Sequence, residues 1–275
     1  MKLKYKALIA LACIIAILLA YSIIVEPNFM VHDTRLTLKL KGLPEAFNGF
    51  RIVHITDMHF GMWHLPIRDD LVIHIIEEFK PDLIVFTGDL ICSVDGINEA
   101  LKFTSHLTSI APTIVVLGNW DYWSRANITE LLRELEGLGV IVLINNSTRI
   151  ARRGAAIYIA GVDDPYTWRG NLTKALARIP KTSFKILLAH SPQIIDEARG
   201  KVNLILAGHT HGGQVNIQLI SPLFVPLPLE YREYVYGLYN ESGTLMYVSR
   251  GIGCSMLPMR FMCPPEVVLI TLVKA

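Results

Sequence analysis

Cysteine, net charge and internal repetition are all scarce in this chain, and each shortage excludes a class of protein. Four cysteines in 275 residues cannot frame a disulfide scaffold. Cys13 lies in an apolar run and Cys92 follows an expected strand. Cys254 and Cys263 flank a Pro-containing loop, where a bridge is open to an exported domain, although buried free thiols are the expectation. Twenty-six Lys and Arg against 24 Asp and Glu leave a formal charge of +2. That balance gives no basic footprint for a nucleic-acid partner, and no basic membrane patch beyond the first few lysines. Nothing resembles a linker or a repeat, so one domain plus an N-terminal segment accounts for the length.

What is present at the N-terminus is a long apolar run. Residues 7–25 are 19 positions without a charge, and at about 1.5 Å per residue such a helix approaches the roughly 30 Å hydrocarbon layer of a bilayer. Lys2, Lys4 and Lys6 precede it, and Glu26-Pro27-Asn28 is expected to end it. A cleaved signal peptide would also begin with positive charge and an apolar core. Ala20-Tyr21-Ser22 is a mediocre cleavage site, which favours a retained anchor over residues 1–28 and a catalytic domain over 29–275. The three leading lysines lie nearer the span than Arg35, Lys39 and Lys41. The expectation is therefore a cytoplasmic N-terminus and a single-pass cell-membrane protein whose domain lies outside the cytoplasm.

Beyond the run, strand and helix periodicities alternate. Strands are expected over 34–40, 51–56, 83–87, 113–117 and 140–144, with helices over 69–80, 98–110 and 129–138 between the later ones. That order implies a parallel βαβ half. A hairpin around Arg153-Gly154 follows, then helices over 172–179 and 193–199 before strands at 185–189 and 202–207. Strands at 215–218, 234–239, 245–249 and 267–273 complete the pattern, the middle pair joined by 240–243.

Five short segments stand where these strands end: Asp57-Met58-His59, Gly88-Asp89, Gly118-Asn119-Trp120-Asp121, His190, and Gly208-His209-Thr210-His211. A strand delivers ligands from its carboxyl end in this way. Carboxylates, imidazoles and an asparagine carbonyl suit a pair of divalent ions, with Mn expected and Fe, Zn, Ni or Co as the alternatives. Singly, His190 could be a hydrogen-bonded structural residue, and Asp89 or Asp121 a turn former. Structural roles give no reason for four histidines, three aspartates and an asparagine to fall in this order. His32, His54, His74 and His106, in strands, helices or the juxtamembrane segment, are read as structural.

From about residue 51 to the C-terminus, the order D-x-H, G-D, G-N-x-D, H, G-H-x-H resembles the calcineurin-like metallophosphoesterase family. Residues 208–214 (GHTHGGQ), 249–251 (SRG) and 264–266 (PPE) look like its membrane-associated phosphodiesterase branch, related to UDP-diacylglucosamine pyrophosphatases. The resemblance implies an α/β fold, a four-layer α/β/β/α sandwich of two mixed sheets. It also implies one metal at Asp57, His59, Asp89 and His211 and a second at Asp89, Asn119, His190 and His209. Such a pair holds a hydroxide for in-line attack on phosphorus.

Trp120 departs from the family's G-N-H-D block, where the histidine contacts the phosphate and protonates the leaving group. Indole can donate a hydrogen bond but cannot transfer a proton, so Trp120 and Asp121 cannot act as that pair does. Leaving groups that need no proton are then favoured, as in a pyrophosphate or an aryl phosphodiester. Alternatively His64, in the loop after His59, supplies the acid. Asn119, Arg250 and Arg260 are candidate substrate contacts, the two arginines through bidentate bonds to phosphate oxygens. Apolar, Pro-broken residues 217–229 read as buried, or, if exposed, as a ledge for an acyl chain or bilayer. The leading expectation is a membrane-anchored two-metal hydrolase of a phosphodiester or pyrophosphate, lipid-linked in its most specific form. A silent binding scaffold and a protein Ser/Thr phosphatase are the rivals. The second is weakened because alkoxide leaving groups most need an acid.

Overall fold

The structure, a computed structural model, describes residues 3–216 and 225–275. The chain opens with helix α1 (Leu3–Ala20), passes through one wide π turn (Tyr21–Val25) and continues as α2 (Glu26–Phe29). Among the described residues, Lys4–Phe29 is long and apolar enough to cross a membrane. The helix runs through Glu26-Pro27-Asn28 and stops one residue later, at Phe29. Pro27 cannot donate a backbone bond, and the preceding turn widens so that Glu26 N–H reaches back to Tyr21 O.

Strand β1 (His32–Leu40) leads to β2 (Phe50–Ile55), then α3 (Ile67–Phe79), β3 (Leu83–Thr87), α4 (Ile97–Ile110), β4 (Thr113–Val116), the short α5 (Asn119–Trp123), α6 (Ile128–Gly137) and β5 (Ile141–Val142). The second half runs β6 (Asn146–Arg152), β7 (Ala155–Gly161), α7 (Leu172–Leu176), β8 (Lys185–Leu188), α8 (Ile195–Ala198), β9 (Leu204–Ala207), β10 (Gly237–Glu241), β11 (Thr244–Val248) and β12 (Glu266–Lys274). Among the described residues these strands form two mixed six-stranded sheets, ordered β1-β12-β2-β3-β4-β5 and β10-β11-β9-β8-β7-β6.

Three apolar cores separate four layers. Ile52, Val85, Ile114 and Ile270 of the first sheet meet Ile159, Ile186 and Leu206 of the second. The outer face of the first sheet packs on Val72 and Ile76 of α3, Phe103 and Leu107 of α4, and Leu131 and Leu135 of α6. The outer face of the second packs on Leu172, Ala175 and Ile195. The runs β2, β3, β4, β8 and β9 are buried over nearly their whole length, as strands covered on both faces must be. The α/β/β/α sandwich is thus the observed fold.

Local departures are few. The helix expected over 172–179 stops at Leu176, and the strand expected from 234 starts at Gly237. Val215 makes only an isolated bridge to Phe261, and residues 217–224 of the apolar stretch lie outside the described residues. Of its remainder, Val225 and Leu227 are buried and Leu229 is exposed. All four cysteines are free, and Cys254 and Cys263 are buried.

Glu266, at the start of β12, ties the two sheets together on their site side. Its buried carboxylate accepts from Thr34 Oγ1, Tyr247 OH at 2.8 Å, Ser249 Oγ at 3.2 Å and Arg250 N at 2.9 Å. Replacing it with an apolar group would strand those donors. Glu266→Leu should lower folding stability by about 2–4 kcal/mol, read from the urea midpoint of the full chain. A shift under about 0.5 kcal/mol, the scale of an ordinary surface change, would contradict this role.

Candidate metal centre

The loops after β2, β3, β4, β8 and β9 are stitched to one another by backbone bonds. Asp57 N–H donates to Gly88 O at 3.0 Å, His59 N–H to Asp89 O at 3.0 Å, and Gly208 N–H to His190 O at 2.9 Å. Packing this close leaves no room for a Cβ at the glycines that precede Asp89, Asn119 and His209. A Cβ on Gly118 would lie 2.3 Å from Asp89 Oδ1 and 2.6 Å from Asp89 N, and one on Gly208 would lie 2.4 Å from Asp57 Oδ2. The backbone is also bent out of its ordinary range. Asp57 (φ 56), His59 (φ 50), Asp89 (φ 55), His209 (φ 72) and His211 (φ 51) all take the left-handed conformation, which costs L-residues about 1–3 kcal/mol each when tightly enforced. Surrounding structure enforces these turns, and each aims its side chain inward.

Two groups of ligand atoms result: Asp57, His59, Asp89 and His211, and Asp89, His190 and His209. All of these side chains are buried. Asn119 Oδ1 stands 3.1 Å from His190 Nε2, which places the carbonyl with the second group. Within the first, His59 Nε2 lies 3.0 Å from His211 Nε2 and 3.4 Å from Asp89 Oδ2, and Asp57 Oδ1 lies 3.3 Å from His211 Nε2. Within the second, His190 Nε2 lies 3.1 Å from His209 Nδ1 and 3.2 Å from Asp89 Oδ2. Atoms about 2.1 Å from a common cation stand about 3.0 Å apart at octahedral angles and about 3.4 Å at tetrahedral ones. The observed spacings match those polyhedron edges, and Asp57 Oδ1 has no hydrogen-bond partner among the described residues. The donor set fits two divalent cations that share Asp89.

Neighbouring groups orient the ligands. Asp57 Oδ2 accepts from Thr56 Oγ1 at 2.7 Å and His209 N at 3.0 Å, which leaves Oδ1 for the centre. His190 Nδ1 lies 2.8 Å from Thr87 O and His209 Nε2 lies 2.9 Å from Pro226 O, so each ring turns its other nitrogen inward. Asp121 accepts from Asp89 N, Ile91 N and Gly118 N, at 3.0, 3.1 and 2.9 Å. It clasps the ligand loops and is fully buried.

Burial and mutual charge sort the protonation states. Burial alone would push every histidine down, yet bonding and charge from Asp57 and Asp89 raise His59 to about 9, and Asp89 raises His190 to about 10. Burial lowers His211 to about 3, helped by His59 and Arg260, and burial with the His190 charge lowers His209 to about 4. Each close nitrogen pair therefore holds one proton where a cation would sit. Burial favours neutral carboxyls at Asp57 and Asp89, but the surrounding histidines hold both below the usual range. Asp121 is raised to about 7 by burial and by the Asp89 charge.

Several residues named from sequence lie elsewhere. His64 turns away to α3 and α4: Nε2 lies 3.0 Å from Asp69 Oδ2 and 3.4 Å from Glu99 Oε1, and Nδ1 lies 3.0 Å from Met62 O. Both ring nitrogens are engaged there, so the structure does not supply the acid expected of it. Arg260 is fully buried and is spent on the carbonyls of Gly253, Cys263 and Arg250, with Nη2 3.5 Å from His211 Nδ1. It braces a ligand loop and does not present a fork to a phosphate. Arg250 pairs with Glu266 at 3.3 Å and passes beside Gly212, while its buried Nε has no hydrogen-bond partner among the described residues. Trp120 sets its ring edge-on to His59 at 5.7 Å. From it a run of rings continues through Trp123 (5.7 Å) and Tyr166 (6.2 Å) to His209 (4.3 Å). Tyr166 carries no ligand or acid–base signature in the sequence. The only local sign is Asp164, whose carboxylate caps Tyr166 N and Thr167 N in a tight turn.

Two outcomes follow from this geometry. Below pH about 9 a cation must displace the protons of His59 and His190. Calorimetry in buffers of different ionisation enthalpy should therefore find roughly two protons released per chain at pH 7.5, falling toward none above pH about 10. Release that does not change with pH would exclude the pairing. Gly118→Ala should lower metal affinity more than about tenfold by displacing Asp89, whereas Gly137→Ala, whose Cβ meets nothing within 4 Å, should leave it unchanged. Equal behaviour of the two variants would contradict the packing described.

Comparison with known proteins agrees with this geometry. The family described as calcineurin-like phosphoesterase matches residues 50–213. The uncharacterized metallophosphoesterase YkuE of Bacillus subtilis strain 168 is 33% identical over 258 residues, 92% of this chain and 88% of that protein. Phosphodiesterase YaeI of Escherichia coli K12 is 32% identical over 232 residues, 82% of each chain. The crystal structure of a dimetal phosphatase from Danio rerio superposes with a TM-score of 0.50 at 12% identity, over 82% of this chain and 99% of that one, and so shares the fold. With more than half of its length matched by the family and about a third of its residues identical to relatives that it spans nearly end to end, the chain belongs to the calcineurin-like phosphoesterases.

Proposed function

We propose that the chain is a membrane-anchored, two-metal phosphoesterase that cleaves a phosphodiester or pyrophosphate bond, with a lipid-linked phosphoester as the most specific substrate class. The observation that carries this reading is the convergence of two ligand groups on Asp89. In it Asp57, His59, Asp89 and His211 hold one divalent ion, and Asp89, Asn119, His190 and His209 hold the other, with Mn as the expected metal. When bound, the ions supply positive charge opposite the phosphoryl oxygens and a nucleophile from water at neutral pH.

The protein's own side chains then set the selectivity. Asn119 and Arg250 are assigned to the phosphoryl oxygens, Arg250 through the guanidinium that Glu266 holds by Nη2 at 3.3 Å. Trp120 lines the centre with an indole that cannot protonate a departing oxygen. His64 is engaged with Asp69 and Glu99. Leaving groups that depart as stable anions, a phosphate monoester or a phenolate, therefore suit the site better than alkoxides. That preference argues against a protein Ser/Thr phosphatase. A silent scaffold has no chemical use for a complete set of buried ligands.

In this reading residues 1–28 are the anchor, with the described helix starting at Leu3, and residues 29–275 are the catalytic domain. The helix is apolar over the length of a bilayer crossing and almost wholly exposed in the fold, a state that water would penalise and lipid would not. Lysines before the span support a cytoplasmic N-terminus with the domain beyond the membrane.

Rates of the Mn-loaded full chain in detergent, measured on aryl phosphodiesters of graded leaving-group pKa, test the reading. Wild type should show a steep fall with rising pKa, and chelation should abolish turnover. Trp120→His should flatten that slope and raise turnover of the poorest leaving groups by on the order of 100-fold. An unchanged slope in Trp120→His would refute the role given to the indole, and metal-loaded wild type without turnover would favour the scaffold.

A further inference from the structure

The apolar helix is not a tether. Its last turns are built into the domain: Ser22, Glu26 and Asn28 are 3%, 1% and 0% exposed. Arg260 N–H donates to Ser22 O at 2.8 Å, and the ring of Phe261 meets Tyr21 edge-on at 6.4 Å. Glu26 receives the backbone N–H groups of Met262 at 3.0 Å and Cys263 at 2.6 Å. Asn28 Oδ1 receives Leu65 N–H at 2.7 Å, while its amide reaches back to Ile23 O and Ile24 O. The loops gripped in this way are the loops of the metal centre. Leu65 follows His59 on the loop after β2, and the Cys263 thiol donates to His211 O at 3.2 Å. Two hydrogen bonds thus join a candidate metal ligand to the helix.

These same loops expose large apolar side chains: Trp63 at 51%, Met256 at 80%, Leu257 at 59% and Met262 at 63%. Leu257 O and Ser255 O both accept from Gln214 Nε2, which ties that loop to the residues after His211.

Helix length fixes what they meet. Residues 4–20 are exposed among the described residues, but at about 1.5 Å per residue they measure only about 26 Å, and Lys4 and Lys6 occupy the first turn. A hydrocarbon layer of roughly 30 Å must therefore extend over the docked turn at 21–25, where Arg260 and Phe261 already pack. The loops that grip this turn are drawn to the headgroup level.

We propose that Trp63, Met256, Leu257 and Met262 form a membrane-contact collar that seats the metal-site end of the domain on the bilayer surface, with the helix as a rigid strut at fixed depth. This rests on the membrane anchoring proposed above and adds to it a defined face and depth. A Trp among Met and Leu side chains suits the boundary between acyl chains and headgroups. The occupant is the lipid surface itself, continuous with the lipid around the helix.

The test uses the full chain reconstituted into phosphatidylcholine vesicles, with and without bromine on the acyl chains. Retention of the chain through a carbonate wash reports insertion of the helix. The fluorescence difference between wild type and Trp63→Phe isolates the emission of Trp63. It should fall at least twofold in the brominated vesicles, and the double variant Met256→Asp, Leu257→Asp should remain inserted while losing most of that quenching. An inserted chain whose Trp63 emission is the same in both lipids overturns the collar and leaves the anchor standing. A chain extracted by carbonate overturns both.

Discussion

Every part of this fold that bears on chemistry depends on holding buried imidazoles and carboxylates closer together than they would stand unaided. Two pairs of ring nitrogens lie 3.0 and 3.1 Å apart beside two carboxylates, in surroundings where an unpaired charge would cost several kcal/mol. Five of the residues involved take left-handed backbone conformations. Neither feature would persist in a surface loop. Two fully covered sheets supply the rigidity, since the strands that deliver the ligands are buried on both faces and their ends bond to one another. Strain at the ligand loops and order in the cores are two sides of one arrangement.

The strands and the ligand positions were legible because both leave local marks. A hydrophobic run followed by Gly and a metal-ligand residue is such a mark, and the glycine is explained by the contact a Cβ would make at Gly118 or Gly208. Interactions between distant segments leave none. Glu26 and Asn28 read as the polar end of an apolar span, whereas they are buried ties to residues 236 or so positions away and to Leu65 respectively. Pro27 reads as a stop, but one π turn absorbs its missing donor. His64 sits in sequence where a general acid would be useful, and its orientation was decided by Asp69 and Glu99 on two helices. Arg260 had the chemistry of a phosphate clamp but was consumed by carbonyls. Tyr166 lies against His209 through a turn set by Asp164, and nothing in its neighbourhood of sequence points to a histidine 43 positions on.

Helix, collar and metal centre form one mechanical unit in this account. The carboxylate of Glu26, the thiol of Cys263 and the carbonyl of His211 make a short path from the apolar helix to the ligand cage. The Trp120, Trp123 and Tyr166 rings border that cage on the side of α5. An enzyme so arranged would meet its phosphoester where a bilayer presents it, and would favour a leaving group that needs no proton.

The central claim is that the converged side chains bind two cations sharing Asp89. Anomalous diffraction from crystals of the Mn-loaded protein tests it most directly. The account predicts two peaks about 3.5–4 Å apart, one reached by Asp57, His59 and His211, the other by Asn119, His190 and His209, with Asp89 between them. A single peak, or metal bound instead at His64, Asp69 and Glu99, would contradict it.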